Sequence, residues 1–200
     1  MRTTIRLVRG SLSLVIGLMA GAAAAGPLDV PGADKALPCS ACHGLGGQSP
    51  STTMPIIAGI APWYFKKAVE DYAAGRRPSP EMEPYAKYVR EAGVDDIAAY
   101  FASQSRQPTA VPVDGAAVAR GRAASQQCVV CHGASGRGDP TKSIPDLRGQ
   151  APGYLRNQIL LFKTDRRSPG DPTVKALKEL MKSIPDDAIA DLAAYYSSLR

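Results

Sequence analysis

The chain has 200 residues, which is enough for one medium domain or two small ones, and its 44% content of hydrophobic side chains is ordinary for a globular protein. This composition excludes a disordered or a fibrous protein. The formal net charge is +6, and no basic run is longer than the arginine pairs at residues 76–77 and 166–167. The sequence therefore gives no indication of nucleic-acid binding.

The first 25 residues differ from the rest of the chain. Arg2, Arg6 and Arg9 precede an apolar run at residues 12–20 and small residues at 21–25, which is typical of a secretory signal peptide. We expect residues 1–25 to be cleaved after export to a bacterial periplasm. The alternative is an uncleaved membrane anchor, but the run is shorter than the ~20 residues a span needs. We expect no membrane span in the mature chain, which has 21 basic and 18 acidic side chains after the loss of three of the 24 basic ones.

All four cysteines lie in two copies of one pattern, CSACH at residues 39–43 and CVVCH at residues 128–132. Four cysteines in an exported protein ordinarily suggest two disulfides. The CxxCH pattern instead predicts covalent haem attachment, in which each sulfur adds to a haem vinyl group and the histidine binds the iron. We therefore expect two haem c groups, with their iron, held by these residues: Cys39, Cys42, His43, Cys128, Cys131 and His132.

Two other kinds of site use closely spaced cysteines. A thioredoxin-like dithiol needs no histidine after its second cysteine, whereas both copies here have one. A zinc site would need its four ligands from two cysteine pairs 89 residues apart, and it would leave both histidines unexplained. The repeat of the whole pattern favours haem over both alternatives.

The two motifs belong to a longer internal repeat. Three further segments recur at an offset of 90 and a fourth at 95: residues 55–59 and 145–149, 62–64 and 152–154, 76–77 and 166–167, and 97–100 and 192–195. We expect a first domain at residues 26–103, a surface linker at 104–112 and a second domain at 113–200. Domains of this size often need a cofactor for stability, and a covalent haem would provide it.

The predicted secondary structure is helical, and no segment alternates as a strand does. Apolar residues at helical spacing predict helices near residues 64–74 and 154–163. Asp114 is expected to cap a helix over residues 116–127 that leads into the second motif. Pro185 opens a last helix with one apolar face, formed by Ile189, Leu192, Ala193 and Tyr196.

The residue inventory limits the second axial ligand of the first iron. Both histidines of the chain belong to the motifs, so paired-histidine ligation is excluded and methionine is the usual alternative. Met54 lies directly before Pro55 and close after His43, which favours packing on the histidine side. We expect Met82, in the loop ahead of the final helix of the first domain, to bind the first iron; the alternative is a core methionine.

The candidate ligand of the second iron does not follow the spacing of the repeat. Met82 lies 18 residues before Tyr100, but the residue 18 before Tyr195 is Leu177, which cannot bind iron. Met181 lies four residues later and is the only methionine of the second domain, so it is the expected ligand. The alternative is a vacant or weakly held position that is open to small ligands.

These residues resemble class I c-type cytochromes, and the tandem arrangement is similar to the cytochrome c4 family. The resemblance rests on the haem motifs, residues 55–59, residues 82–85 and the Ala-Ala-Tyr segments of the closing helices. It implies an all-α fold of two small domains, each around one covalent haem, facing each other closely enough for internal electron transfer. In the family, the proline carbonyl after CxxCH accepts a hydrogen bond from the haem-binding histidine, a role that carries onto Pro55 and Pro145.

Three functional classes are compatible with these features. The leading hypothesis is a periplasmic electron carrier, without catalytic residues, that accepts electrons from a donor dehydrogenase or quinol-oxidising cytochrome complex and passes them to a terminal oxidase. The alternative is the cytochrome subunit of a flavoprotein dehydrogenase, since the subunit of flavocytochrome c sulfide dehydrogenase is similar in size and domain content. A haem peroxidase would need an open iron and a distal acid or base, and no histidine is available for that role.

Overall fold

A computed structural model describes residue 26, residues 28–167 and residues 173–200, without the side chains of residues 173–176. The expected signal peptide at residues 1–25 lies outside the described residues. In the described part the regular structure is helical and no strand forms, so the all-α expectation is confirmed. The α-helices are α1 (Ala33–Ala36), α2 (Ser40–His43), α3 (Pro62–Ala73), α4 (Met82–Ala92), α5 (Val94–Ser103), α6 (Gly115–Ala124), α7 (Gln126–His132), α8 (Pro152–Lys163), α9 (Thr173–Ser183) and α10 (Asp186–Ser198).

The first domain is built on α3, which packs against α4 and α5, while α1 packs on α5. Proline at the first position of α3 fits a helix start, because its missing N–H would have no partner there. Phe65, Val69 and Tyr72 follow at helical spacing and are buried on one face. They join a core that includes Ile97 and Phe101 of α5. The helix predicted near residues 64–74 is confirmed.

The second domain is built on α10, which packs against α6 and α8. Asp114 caps α6 as expected, since its Oδ2 accepts a hydrogen bond of 2.8 Å from the Ala117 amide. The helix predicted over residues 116–127 is divided, because α6 ends at Ala124 and α7 begins at Gln126. Ser125 between them is buried, and its hydroxyl donates to the Arg122 carbonyl. The predicted face of the last helix is confirmed, since all four residues are buried: Ile189, Leu192, Ala193 and Tyr196.

Helices α6 and α10 approach each other at Gly121. A Cβ on Gly121 would lie 2.0 Å from the Asp191 carbonyl oxygen, far inside van der Waals contact. The first domain repeats this arrangement, because a Cβ on Gly32 would lie 2.7 Å from the Asp96 carbonyl oxygen. In both domains a glycine lets the chain ahead of the haem motif pack directly on the backbone of the closing helix.

We expect Gly121→Ala to lower the free energy of unfolding by about 1–3 kcal/mol or more, because the added methyl group must push α6 away from α10. Urea denaturation of the variant measures the loss. Gly115→Ala is a matched control in the same helix, since nothing lies within 4 Å of a Cβ there. We expect the control to be neutral or slightly stabilising, and equal effects at both positions would contradict the close approach.

The segment between α5 and α6 packs against both domains rather than only crossing the surface. Thr109 is buried, and its amide donates a 2.7 Å hydrogen bond to the Gly149 carbonyl of the second domain. On the first domain, the Gln48 side chain donates to the Gln107 carbonyl at 2.9 Å and accepts from the Gln107 amide at 3.0 Å. These bonds hold the two domains in one arrangement.

Candidate functional site

The two motif histidines have the same environment. His43 ends α2 and His132 ends α7. The His43 Nδ1 lies 2.9 Å from the Pro55 carbonyl oxygen, and the His132 Nδ1 lies 3.0 Å from the Pro145 carbonyl oxygen. A carbonyl oxygen only accepts, so each Nδ1 carries the hydrogen and each Nε2 keeps a free lone pair. Both imidazoles are therefore oriented to bind a metal through Nε2.

The surroundings also favour the neutral form of these imidazoles. Burial lowers the pKa of His43, and this effect outweighs the opposing influence of the Pro55 carbonyl. Burial likewise lowers the pKa of His132, against the Pro145 carbonyl and the nearby Asp146 carboxylate. Neutral imidazole is the form that coordinates metal ions, so no proton has to be displaced near pH 7.

The four cysteines are arranged as two matching pairs. In each pair the first cysteine is half-buried and the second is exposed, and none of the four forms a disulfide. Burial raises the pKa of the Cys39 and Cys128 thiols, whereas a redox-active dithiol has a lowered pKa. Among the described residues, no group of three or more His, Cys, Asp or Glu side chains could hold a metal ion, which does not support a zinc site.

A cavity of about 470 Å³ adjoins the first motif, within the range of about 300–1,000 Å³ for ligand and cofactor sites. Cys39, Cys42 and His43 line it together with Met82. Much of the remaining wall is apolar, with contributions from Ile57, Phe65 and Val69. The cavity therefore places two thiols, an imidazole and a thioether around one apolar space.

Met82 is the first residue of α4, so the expectation that it lies in a loop is wrong. Its amide lies 3.0 Å from the Ser79 carbonyl oxygen and 3.2 Å from the Ser79 hydroxyl, which together anchor the start of the helix. The side chain is half-buried and packs against the core of the first domain, as Cys39 does. Met54 lines the same cavity from the segment before Pro55.

Met181 lies on α9 and is half-buried. The core around Cys128 consists of Leu155, Ala193, Tyr195 and Tyr196, and Met181 is not among the described side chains that pack against it. Leu177, one turn earlier on α9, is also half-buried. The structure thus brings Met82 to the same cavity as its motif, whereas the described residues show no equivalent contact for Met181.

Two repeat-related arginines meet at the interface between the domains. Arg77 and Arg167 are only 2% and 6% exposed, which is unusual for guanidinium groups. Arg77 donates to the Gln158 Oε1 at 3.0 Å and to the Tyr154 hydroxyl at 2.5 Å, and Arg167 donates to the same Gln158 oxygen at 2.7 Å. Tyr64 hydrogen-bonds with Arg167 and Tyr154. We call this group of five residues the Arg–Tyr cluster.

The Arg–Tyr cluster has an excess of positive charge. No carboxylate of the described residues forms an ion pair with Arg77 or Arg167, and the Arg167 Nε has no acceptor in that part of the chain. Burial alone would raise the pKa of Tyr64, but the two guanidinium groups and the hydrogen bonds outweigh it and lower the pKa to about 7. Buried cations require a nearby anion.

These residues fit a haem with its two propionate groups. Tyr64, Arg77, Tyr154 and Gln158 also line the cavity that contains the first motif, so the cationic groups and the thiols border the same space. The haem carboxylates would supply the anions that Arg77 and Arg167 lack. In the sequence, the arginine pairs served only as basic runs and as markers of the repeat, and Tyr64 only as part of a repeated segment. Their recurrence at an offset of 90 was the signal that could have identified them.

The helical fold, the tandem repeat and the histidine–carbonyl pairs define a class of protein, the class I c-type cytochromes with two domains. The cytochrome c family model matches residues 118–200. The chain is similar to the solved structure of reduced cytochrome c4 from Pseudomonas stutzeri, with a TM-score of 0.75 and 27% identity, covering 84% of this chain and 96% of that one.

Sequence relatives narrow the class further. Cytochrome c4 of Pseudomonas aeruginosa is 34% identical over 94% of this chain and 96% of its own length. The thiosulfate dehydrogenase electron acceptor of Stutzerimonas stutzeri is 28% identical over 82% of this chain and 80% of its own length. The chain belongs to the cytochrome c4 family. It is an electron-transfer protein with covalently bound haem c, and it is a carrier rather than an enzyme.

Across residues 28–167 and 173–200, no helix is both long and apolar enough to cross a membrane.

Proposed function

We propose that the chain carries two haem c groups and shuttles electrons between redox proteins. The first haem is bound by Cys39, Cys42 and His43, and the second by the corresponding residues of the second domain, Cys128, Cys131 and His132. The observation that carries the proposal is the matched pair of histidines, each donating from Nδ1 to a proline carbonyl, at 2.9 Å and 3.0 Å. Two identical metal-binding arrangements in one chain support two cofactors.

The proposal includes one methionine ligand for each iron. Met82 is the proposed ligand of the first iron, and its position on the wall of the cavity beside the first motif supports this role. Met181 is proposed for the second iron because the other methionines outside residues 1–25 lie in the first domain. At the position that corresponds to Met82 in the repeat stands Leu177, which cannot bind iron.

We also propose the domain limits that the repeat predicts. The first domain comprises residues 26–103, the linker residues 104–112 and the second domain residues 113–200. Residues 1–25 act as a signal peptide, so the working protein is periplasmic. The signal-peptide pattern of residues 1–25 and the similarity to cytochrome c4 of Pseudomonas aeruginosa support this location.

When bound, each haem supplies an iron that takes up and releases one electron. The chain's own residues bind and orient this group and restrict the access of water. His43 and His132 are held by carbonyl oxygens, so their rings need not move when the charge on the iron changes. Arg77 and Arg167 supply fixed positive charge at the domain interface. A rigid and largely buried site limits reorganisation during transfer, which suits a carrier.

The redox partners are proposed as a donor dehydrogenase or quinol-oxidising cytochrome complex and an acceptor oxidase. A second candidate role is as the dedicated electron acceptor of one dehydrogenase. It is favoured by the similarity to the thiosulfate dehydrogenase electron acceptor of Stutzerimonas stutzeri. Mixing the oxidised protein with a thiosulfate dehydrogenase and thiosulfate, and following haem reduction optically, tests this role. Co-purification at high salt would indicate a permanent subunit, whereas a shuttle would dissociate.

Mass spectrometry of protein secreted by a host competent in haem attachment tests the cofactor content. We expect the mass of residues 26–200 plus two haems. The double variant Cys39→Ser/Cys42→Ser should lose one haem, and Cys128→Ser/Cys131→Ser should lose the other, because each thioether bond requires its own sulfur. A mass equal to the bare polypeptide would contradict the proposed function.

A further inference from the structure

One side chain of the second domain binds the backbone of the first domain beside a haem motif. Gln150 is 8% exposed and lies just before α8. Its Oε1 accepts a 2.9 Å hydrogen bond from the Ile56 amide, and its Nε2 donates a 2.6 Å hydrogen bond to the Ile56 carbonyl. Ile56 is itself only 1% exposed, so both bonds are shielded from water. The two residues are 94 positions apart in the chain.

The position of these bonds connects Gln150 to His43. The Ile56 N–H and the Pro55 carbonyl belong to the same peptide group, and that carbonyl accepts the hydrogen bond from His43 Nδ1. A chain of hydrogen bonds polarises each of its members, particularly where the surroundings are dry. When Gln150 accepts from the N–H end of this peptide, the carbonyl end becomes a stronger acceptor for His43.

We propose that Gln150 is a positioning residue through which the second domain sets the reduction potential of the first haem. A stronger hydrogen bond from Nδ1 makes the His43 ring a better electron donor at Nε2. A better donor stabilises the oxidised iron, which lowers the potential of that haem. This inference rests on the proposed function, because it requires a haem at His43.

The repeat does not provide the second haem motif with a counterpart of Gln150. At an offset of 90, the residue of the first domain that corresponds to Gln150 is Ile60, whose side chain can neither donate nor accept a hydrogen bond. The Pro145 carbonyl accepts from His132, and among the described residues no glutamine of the first domain binds the peptide that follows it. Two histidines with almost equal carbonyl distances would therefore differ in donor strength, and the two haems would differ in potential.

The segment before Pro55 also binds the second domain through Thr52, independently of Gln150. The Thr52 carbonyl accepts hydrogen bonds from the Gly153 and Tyr154 amides at the start of α8, at 2.8 Å and 3.2 Å. These amides are among those that no carbonyl within the helix can satisfy. Loss of the Gln150 side chain should therefore leave the segment before Pro55 in contact with the second domain.

Gln150→Leu in the haem-loaded protein tests the inference, because leucine fills a similar volume without the amide. We expect the potential of the first haem to rise and that of the second to stay unchanged, measured by potentiometry with NMR to resolve the two haems. The hyperfine-shifted His43 ring signals should move in the oxidised protein. Hydrogen exchange of the Ile56 amide should accelerate about tenfold, as expected for the loss of one hydrogen bond.

Gln48→Leu is the matched control. Gln48 also uses both ends of its amide on one residue's backbone, at Gln107, but that peptide does not contact a haem-binding histidine. We expect both potentials and the His43 signals to be unchanged in this control. The inference is overturned if Gln150→Leu lowers the first potential, shifts both potentials equally, or leaves the potential and the His43 signals unchanged. The absence of haem from the unmodified protein would instead overturn the proposed function.

Discussion

Replacement of Met82 by alanine is expected to open the first iron to external ligands and to lower its reduction potential. A thioether ligand favours reduced iron, so its loss stabilises the oxidised state. Axial ligands tune haem potentials over a range of about 0.8 V, so we expect a shift of a few tenths of a volt at one haem. Potentiometric titration followed optically measures this shift, and rapid carbon monoxide binding at half of the haems reports the open position.

Met54→Ala is the control for this variant. Met54 lines the same cavity and is also half-buried, so its removal creates a comparable void. If Met82 is the ligand, the Met54 variant should keep both potentials and should not bind carbon monoxide rapidly. The opposite pattern would transfer the ligand role to Met54. Rapid binding at half of the haems of the unmodified protein would remove Met181 from the proposed ligands, since it would indicate that the second iron is already open.

Replacement of Arg77 by methionine is expected to lower the free energy of unfolding of the haem-loaded protein by about 3–5 kcal/mol, because Arg77 would form a buried ion pair with a haem carboxylate and this is the usual cost of removing one partner. The variant would leave the Tyr154 hydroxyl and the Gln158 side chain without the guanidinium donor. It would also leave a haem carboxylate with one cation fewer. Loss of a buried positive charge stabilises the oxidised iron, so the reduction potential should fall at the same time. Urea denaturation and potentiometry measure the two effects.

The neighbouring Arg76 provides the control. Its side chain is 36% exposed and pairs with Asp71 at 2.9 Å, while Lys67 also contacts that carboxylate at 2.6 Å. We expect Arg76→Met to cost about 1 kcal/mol or less, because the Arg76 guanidinium is partly exposed to water and the buried Asp71 carboxylate keeps Lys67 as a second cation. Its effect on the potentials should be small. Similar losses in both variants would contradict the special role of the buried arginine.

Arg76 and Arg77 have different environments, because only Arg77 lies at the interface between the domains. Residues 76–77 are adjacent in the chain and chemically identical, yet the Arg76 side chain is partly exposed and pairs with the buried Asp71 carboxylate, whereas the Arg77 side chain belongs to the Arg–Tyr cluster. The recurrence at residues 166–167 could be read from the sequence. The environment of each side chain could not, because it depends on how the two domains pack.

The chemistry of the haem motifs was determined by sequence alone, because the two sulfurs and the imidazole lie within one turn of chain and need no distant partner to be recognised. The all-α class and the buried face of α10 were also predictable, since helical periodicity is a local property. The division of the helix at Ser125 and the placement of Met82 on α4 were not predicted. There, hydrogen bonds of nearby serines mark the helix ends: the Ser79 hydroxyl accepts from the Met82 amide, and the Ser125 hydroxyl donates to the Arg122 carbonyl.

Tertiary structure alone decided which distant residues meet. Gln150 reaches Ile56 across 94 positions, and Arg77 reaches Tyr154 across 77. No periodic pattern connects such pairs, because their contact results from the packing of one complete domain against the other. The sequence by itself thus predicted where haem attaches and determined the kind of fold, whereas the surroundings expected to set each haem's potential arise only when the two domains come together.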